Sequence, residues 1–438
     1  MDTISYKDFT ELITANKSAF LCGNGFSINF DKRFQWNTLM EQLYLTHKSL
    51  EQCCEFNVSG KALIDSAVKP NFENVMREIN RLNTKEKFES IFESAVLFAH
   101  SIIDNPKALK WFDSNVNQRL EFGLKISDLV EMIVKQADLA ISKTSIAVNY
   151  EYWTILIYCV IAMKNAPKDV HTLDKSNAFV RLVLIGGELT LSKNNIHKNF
   201  NIKGDANQDT IINGMYTYFR FLFSGNILLQ GDAVNVENLE NWKTLDLDRV
   251  RSFINKFDYL MTTNYDYILE GLTSRNVSHL HGYYSKVPKR VLDMSLGMRC
   301  GLTRYDLSTI VIGDYFVSKT IYQISARMST YNSLNNSKIQ IYDEMIKEIV
   351  EEKQINTVVI FGLNVDNDYH IIRSLQVHLS KTENPHIIYC YFTPQDKQAF
   401  LDIYYKCITY SDEVNNAVKN IRVSFVDSHN IINNIFNH

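Results

Sequence analysis

"DYLMTTNYDYILEGLTSRNVSHLHGYY", residues 258–284, decides the fold class. The short apolar run DYLM gives way to Thr262, Thr263, Asn264 and Asp266, a helical stretch follows, and VSHLHGYY is a second apolar run bounded by turn residues. Strand, helix and strand in so short a span make the repeating unit of a parallel sheet, because parallel neighbours need a crossover and a helix supplies it. The pattern recurs downstream in STIVIGDY (308–315), INTVVIFGLN (355–364), PHIIYCYFT (385–393) and IRVSFVDS (421–428).

The amino-terminal end carries the same signature. Helical spacing in ISYKDFTELI (4–13) leads to the apolar run SAFLCG (18–23), and WNTLMEQLYL (36–45) is amphipathic again. Between the two α/β regions, from about Asn71 to Phe257, apolar residues recur every three or four positions, as in FENVMREINRL (72–82) and KFESIFESAVLFAHSII (87–103). That spacing predicts helices, with one strand or loop interlude around LVLIGGELTLSKNN (182–195). The expectation is an α/β protein with one doubly wound, Rossmann-like parallel sheet whose first strand, near Phe20, is separated from its partners by a large all-helical insertion. Residues 1–50 and 240–438 then form the sheet domain and 51–239 the insertion.

Composition excludes several function classes. The chain has 438 residues, 46 basic and 49 acidic, for a formal net charge of -3, which argues against a general electrostatic grip on nucleic acid. Its cysteines, at 22, 53, 54, 159, 300, 390 and 407, form no Cys-x-x-Cys pair of the zinc-ribbon kind and fit a reducing compartment. The first residues lack the apolar core of a secretory signal, and the strongest apolar run, Tyr152 to Met163, is far shorter than the roughly 20 residues of a spanning helix. A soluble, cytoplasmic protein is expected.

Two features carry chemistry. Gly23-Asn24-Gly25 directly follows the first apolar run, at the strand end where open parallel sheets bind ligands and where glycine lets the backbone approach a phosphate. A lone Gly-x-Gly is equally an ordinary tight turn, and the third glycine of the dinucleotide fingerprint is replaced by Ile28. The second feature is the pairing of Asn264 with the histidines of SHLHG. An amide orients a hydroxyl or water without changing charge, whereas imidazole takes or passes a proton near neutral pH. Strict alternation puts His279 and His281 on one face, so position alone does not choose between them. A zinc site built on these two histidines lacks further ligands beyond Asp266, and no metal is expected.

Taken together, the motifs resemble a family. GNGFS (23–27), TTNYD (262–266), HLHG (279–282) and FGLNVDND (361–368) occur in the order of the sirtuin-like NAD-binding domain, and resemble its glycine turn, its Thr-Gln-Asn-x-Asp motif, its His-Gly motif and its late Phe-Gly-x-Ser turn. The divergent bacterial branch of anti-phage defence, whose members hydrolyse NAD, is the most similar, and NDYHI (367–371) also resembles that branch. The four-cysteine zinc module of sirtuin deacylases has no counterpart here, which argues against protein deacylation.

The resemblance implies a set of roles. Gly23, Gly25 and Ser27 would contact the NAD phosphates and adjoining ribose, Asn264 and Asp266 the nicotinamide ribose and its surroundings, and Gly362 and Asn364 the adenosine side, with Asn24 and Thr263 also among the NAD-binding residues. Asn264 and His281 would be catalytic, with NAD as substrate. It implies an NAD hydrolase that acts by NAD depletion, controlled by homo-oligomerisation or by a partner such as a HerA-type ATPase or a sensor protein. A non-catalytic nucleotide-binding scaffold and an ADP-ribosyltransferase are the competing readings.

Overall fold

A computed structural model describes residues 2–35, 39–58, 62–115, 126–142, most of 153–191, short pieces between 210 and 229, 232–281, 296–300, 342–366, 368–406 and 412–436. The chain divides into two compact units. The first comprises 1–35, 231–283 and 340–438, and the second 36–230 and 284–339.

Eleven strands occur among the described residues: β1 (Asp2–Thr3), β2 (Ser18–Cys22), β3 (Cys54–Val58), β4 (Leu189–Leu191), β5 (Thr210–Ile212), β6 (Tyr259–Thr262), β7 (Ser278–His279), β8 (Leu296–Cys300), β9 (Thr357–Phe361), β10 (His386–Tyr391) and β11 (Arg422–Asp427). Seven of them form one all-parallel sheet in the first unit, in the order β1-β11-β10-β9-β2-β6-β7. Leaving out the edge strand β1, this is the doubly wound order 3-2-1-4-5-6. The chain runs outward from β2 through β6 to β7, returns to the other flank of β2 as β9, and continues outward through β10 to β11. The switch point therefore lies between β2 and β9.

Burial explains why these strands form. Every residue of β2 and β9 is buried, as is all of β10 except Tyr391, so both faces of the central sheet are covered and its strands read as unbroken apolar runs. An aromatic cluster fills one side of the switch point: Phe20 on β2 lies 5.6 Å from Phe26, 6.0 Å from Phe253, 5.1 Å from Phe257 and 6.2 Å from Phe361, centroid to centroid. Phe26, Phe30 and Phe436 extend it with edge-on or tilted contacts. The helix Tyr6–Ala15 is started by a reciprocal cap between Ser5 and Asp8 and buries Phe9 against Phe253.

Within the first unit the chain on either side of the long interruption is fastened together. Asp258 accepts from the Ser18 N–H at 2.8 Å and donates its own N–H to Ser18 O at 2.9 Å, which sets the start of β2 against the start of β6. Farther on, the Arg33 guanidinium bridges Asp31 at 2.7 Å and Asp232 at 2.9 Å, and Asn241 donates to the carbonyls of Phe30 and Asn29. Burial opposes the charge of Asp31, but Arg33 and the N–H groups of Arg33 and Glu240 outweigh it and hold the carboxyl below the usual carboxylate range.

The second unit is mainly helical. Helices span Leu39–Cys53, Ala62–Asn80, Lys85–Ile103, Pro106–Asn115, Ile126–Ser142, Trp153–Met163 and Ala178–Ile185. Thr84 and Asn177 cap two of them by accepting from Lys87 N–H and Val180 N–H. The interlude expected at 182–195 begins four residues late, because LVLI completes the last of these helices before Gly186 and Gly187 turn the chain into β4. Two antiparallel pairs, β3 with β8 and β4 with β5, also belong to this unit, so it is not wholly helical. The strand expected in STIVIGDY lies outside the described residues. Among the described residues no helix is long and apolar enough to cross a membrane.

Replacing Phe20 by Ala should cost about 3–5 kcal/mol, since a fully buried ring is removed from a packed cluster. Urea unfolding of the variant checks this against Lys7→Ala, whose side chain is 84% exposed and whose loss should shift stability by no more than about 0.5 kcal/mol.

Candidate functional site at the carboxyl edge of the sheet

Because the sheet is all-parallel, the residues after β2, β6, β7 and β9 emerge at one edge. Gly23, Thr263, His281 and Gly362 are thereby neighbours in the fold although they are scattered in sequence. The tightest approach is between the turns after β2 and β9. Gly23 N–H donates to Phe361 O at 2.9 Å, and Gly25 N–H donates to Gly362 O at 2.9 Å. A Cβ on Gly23 would stand 2.6 Å from Gly362 O, one on Gly25 would stand 2.7 Å from Gly362 Cα, and one on Gly362 would stand 2.7 Å from Gly25 Cα. Gly362 also has φ of +66°, which side chains disfavour.

These contacts define what the glycines do. Their N–H groups are engaged by the neighbouring turn, so Gly23 and Gly25 supply close backbone approach at the switch point. Asn24 opens the short helix Asn24–Ser27, and its side-chain amide donates to Phe34 O. Asn364 is exposed and organises its own loop: its side-chain oxygen accepts from Asp366 N–H at 3.1 Å and its carbonyl from Asp368 N–H at 3.0 Å.

On the β6 side, four expected residues meet in one network. Asn264 Nδ2 donates to Ser27 Oγ at 2.8 Å, and Ser27 Oγ donates to Asp266 Oδ2 at 2.7 Å. Thr263 is buried and donates its N–H to Cys22 O at 3.0 Å, while Asn264 N–H donates to the Thr262 hydroxyl at 3.0 Å. Ser27 and Asp266 are buried and Asn264 is partly exposed, so the first two orient the third. Burial pushes the Asp266 carboxyl up to about 6, against the lowering influence of Ser27, the Ile268 N–H and His279.

The two histidines separate. β7 ends at His279 and His281 sits in the turn beyond it, so strand alternation does not extend to both. His279, with its side chain 3% exposed, lies 2.8 Å from Asn264 O through Nδ1 and 2.7 Å from Glu270 Oε1 through Nε2. Burial would lower its pKa, but the Glu270 carboxylate more than offsets this and raises it. His281, 12% exposed, faces His370 with Nε2 atoms 2.9 Å apart, and lies 3.6 Å from Asp368 Oδ1.

Sequence reasoning assigned no role to His370 or Asp368. Both lie in the NDYHI stretch, at the start of the helix Tyr369–Leu379, and the signal that would have found them is the polar pair Asp-x-His placed just after a strand-end glycine turn. His281, Asp368 and His370 each offer one ligand atom, all within 4.8 Å of one another. Asn367 and Gly282 lie outside the described residues.

No protein-family model, curated protein or solved structure matched the chain. Its architecture stands as an α/β fold with a seven-stranded all-parallel sheet. A cavity of about 410 Å³ lined by Asp258, Tyr259, Arg275 and Ser278 lies at the opposite edge, where β6 and β7 begin, and contains none of these groups.

Gly362→Ala should destabilise the protein by about 2–5 kcal/mol, the sum of a left-handed backbone penalty and an overpacking penalty, read by urea unfolding. Asp266 makes a pH-dependent contribution with a definite sign. Its folded pKa lies above its unfolded value near 4, so the folded state holds the proton more tightly, and the stability it contributes is lost as pH rises from about 4 to about 6. Unfolding curves taken through that window should show the wild type losing stability relative to Asp266→Asn, with the difference constant above it.

Proposed function

We propose that the chain is an NAD glycohydrolase that cleaves NAD to nicotinamide and ADP-ribose at the carboxyl edge of its parallel sheet. The observation that carries this reading is that a side-chain-free glycine turn at the β2/β9 switch point, an amide anchored to Ser27 just beyond that turn, and a partly exposed imidazole beside Asp368 just beyond the β9 turn all lie at the carboxyl edge of one sheet. A doubly wound sheet takes a dinucleotide across such a crevice. The sirtuin-like motif order described above supports the same ligand.

The chemistry fits these groups. Nicotinamide leaves with the positive charge of its ring while the ribose gains oxocarbenium character, so the protein has to position a nucleophile and accept one proton. Asn264 is fixed through Ser27 and Asp266, and its remaining amide capacity would hold water or a ribose hydroxyl in line. His281 would take the proton. In the tautomer in which its Nε2 donates to His370 Nε2, the lone pair resides on Nδ1 and can accept that proton. His279, buried and bonded to Glu270 and to the Asn264 carbonyl, serves instead to hold the Asn264 backbone. Gly23 and Gly25 would let the dinucleotide lie close to the sheet. Asn24, Gly362 and Asn364 would flank it.

An effector role in anti-phage defence, assembly into a homo-oligomer and control by a HerA-type ATPase or sensor protein rest on the resemblance alone.

Purified full-length protein should consume NAD and release nicotinamide, and Asn264→Ala and His281→Ala should each reduce turnover by at least about 100-fold with unchanged circular dichroism. Wild-type turnover in either folded variant would remove the mechanism. Mass analysis of the product as free ADP-ribose separates hydrolysis from transfer to protein.

A further inference from the structure

We propose that His281, His370 and Asp368 form a binding site for a divalent transition-metal ion of the zinc class. Neutral imidazole nitrogens and a carboxylate oxygen are the donor types such ions select, whereas magnesium and calcium favour all-oxygen sets. Three protein ligands leave a fourth position open.

The geometry of the pair calls for either one shared N–H hydrogen or a metal ion between the rings. The two Nε2 atoms are 2.9 Å apart and the ring centroids 5.1 Å apart, so the nitrogens face one another end to end. Two bare lone pairs at that distance repel, and so do two N–H groups. One proton on the axis satisfies the pair, and so does a metal ion. Around a tetrahedral ion with bonds of about 2.0–2.2 Å the donors stand roughly 3.3–3.5 Å apart. The imidazole separation must open by a few tenths of an ångström, and the 3.6 Å from His281 to Asp368 must close slightly. His281 lies in a turn, where a small rotation is accessible. His370 is held more firmly, buried with the Tyr342 ring edge-on at 4.9 Å.

Occupation would have a consequence for catalysis, which rests on the hydrolase reading, whereas binding itself does not. An imidazole that coordinates through Nε2 carries its proton on Nδ1 and cannot accept another there. The ion thus converts His281 from base to ligand, and zinc becomes an inhibitor.

The test uses the full-length chain, stripped with a chelator and titrated with zinc chloride by isothermal calorimetry. One ion per chain is expected, with affinity reduced at least about 100-fold in His370→Ala and Asp368→Asn and unchanged in His429→Ala, an exposed histidine beside Asp427. Cobalt(II) uptake by the wild type should give the visible absorption of a four-coordinate site, a readout that does not depend on the variants folding. Absence of zinc uptake by the wild type, or equal affinity in both ligand variants, overturns the site. Zinc should also suppress nicotinamide release. If the metal binds and turnover persists, the inhibitory role is wrong; if the metal-free protein never cleaves NAD, the hydrolase reading fails while the metal site stands.

Discussion

The contact on which the site depends is between backbones. Where β2 and β9 end, Gly23, Gly25 and Gly362 meet with no room for a single Cβ, and two N–H···O bonds tie the turns together. Phe20, Phe26 and Phe361 pack beneath them, so the turns rest on a dense apolar floor. Dense packing resists local displacement. The short helix Asn24–Ser27 is consequently held in one position, and it delivers the Ser27 hydroxyl to within hydrogen-bonding reach of residues 264 and 266, far away in sequence.

From Ser27 a polar network runs into the sheet edge through Asn264, Asp266, His279 and Glu270. Buried polar groups are costly unless satisfied. Most of these are, and the exception is informative: Glu270 Oε2 is buried and makes no hydrogen bond among the described residues, where its carboxylate is held by the His279 ring at the other oxygen. The raised pKa of His279 is the other side of that dependence. An amide at position 264 suits such surroundings, because a third carboxylate beside Asp266 and Glu270 would add charge that no lysine or arginine among the described members of the network offsets.

Much of the sheet was legible in the sequence for a physical reason. β6, β9, β10 and β11 are buried along most of their length, so they appear as apolar runs between turn residues, and the glycines that follow β2 and β9 mark the edge where backbone crowding forbids side chains. β1 was not legible, since two exposed residues paired to β11 carry no pattern. Helix Ala178–Ile185 hid part of its length in the continuous apolar run LVLI, which periodicity cannot separate from a strand. In the site, the choice between His279 and His281 was beyond alternation because β7 is too short to carry it. The contribution of His370 was beyond alternation too: the Asp-x-His pair marks a candidate, but it does not report that a helix start 89 residues away faces the turn after β7.

The clasp formed by Arg33 with Asp31 and Asp232 ties the point where the chain departs from the sheet unit to the point where it comes back. With departure and return already held side by side, together with the Asn241 bonds to residues 29 and 30, closing the sheet makes little demand on the length of the excursion, since loop entropy grows only slowly with added residues. The excursion is in that sense modular: it can be shortened, lengthened or exchanged during descent while the strand ends that carry residues 23, 264 and 281 keep their places.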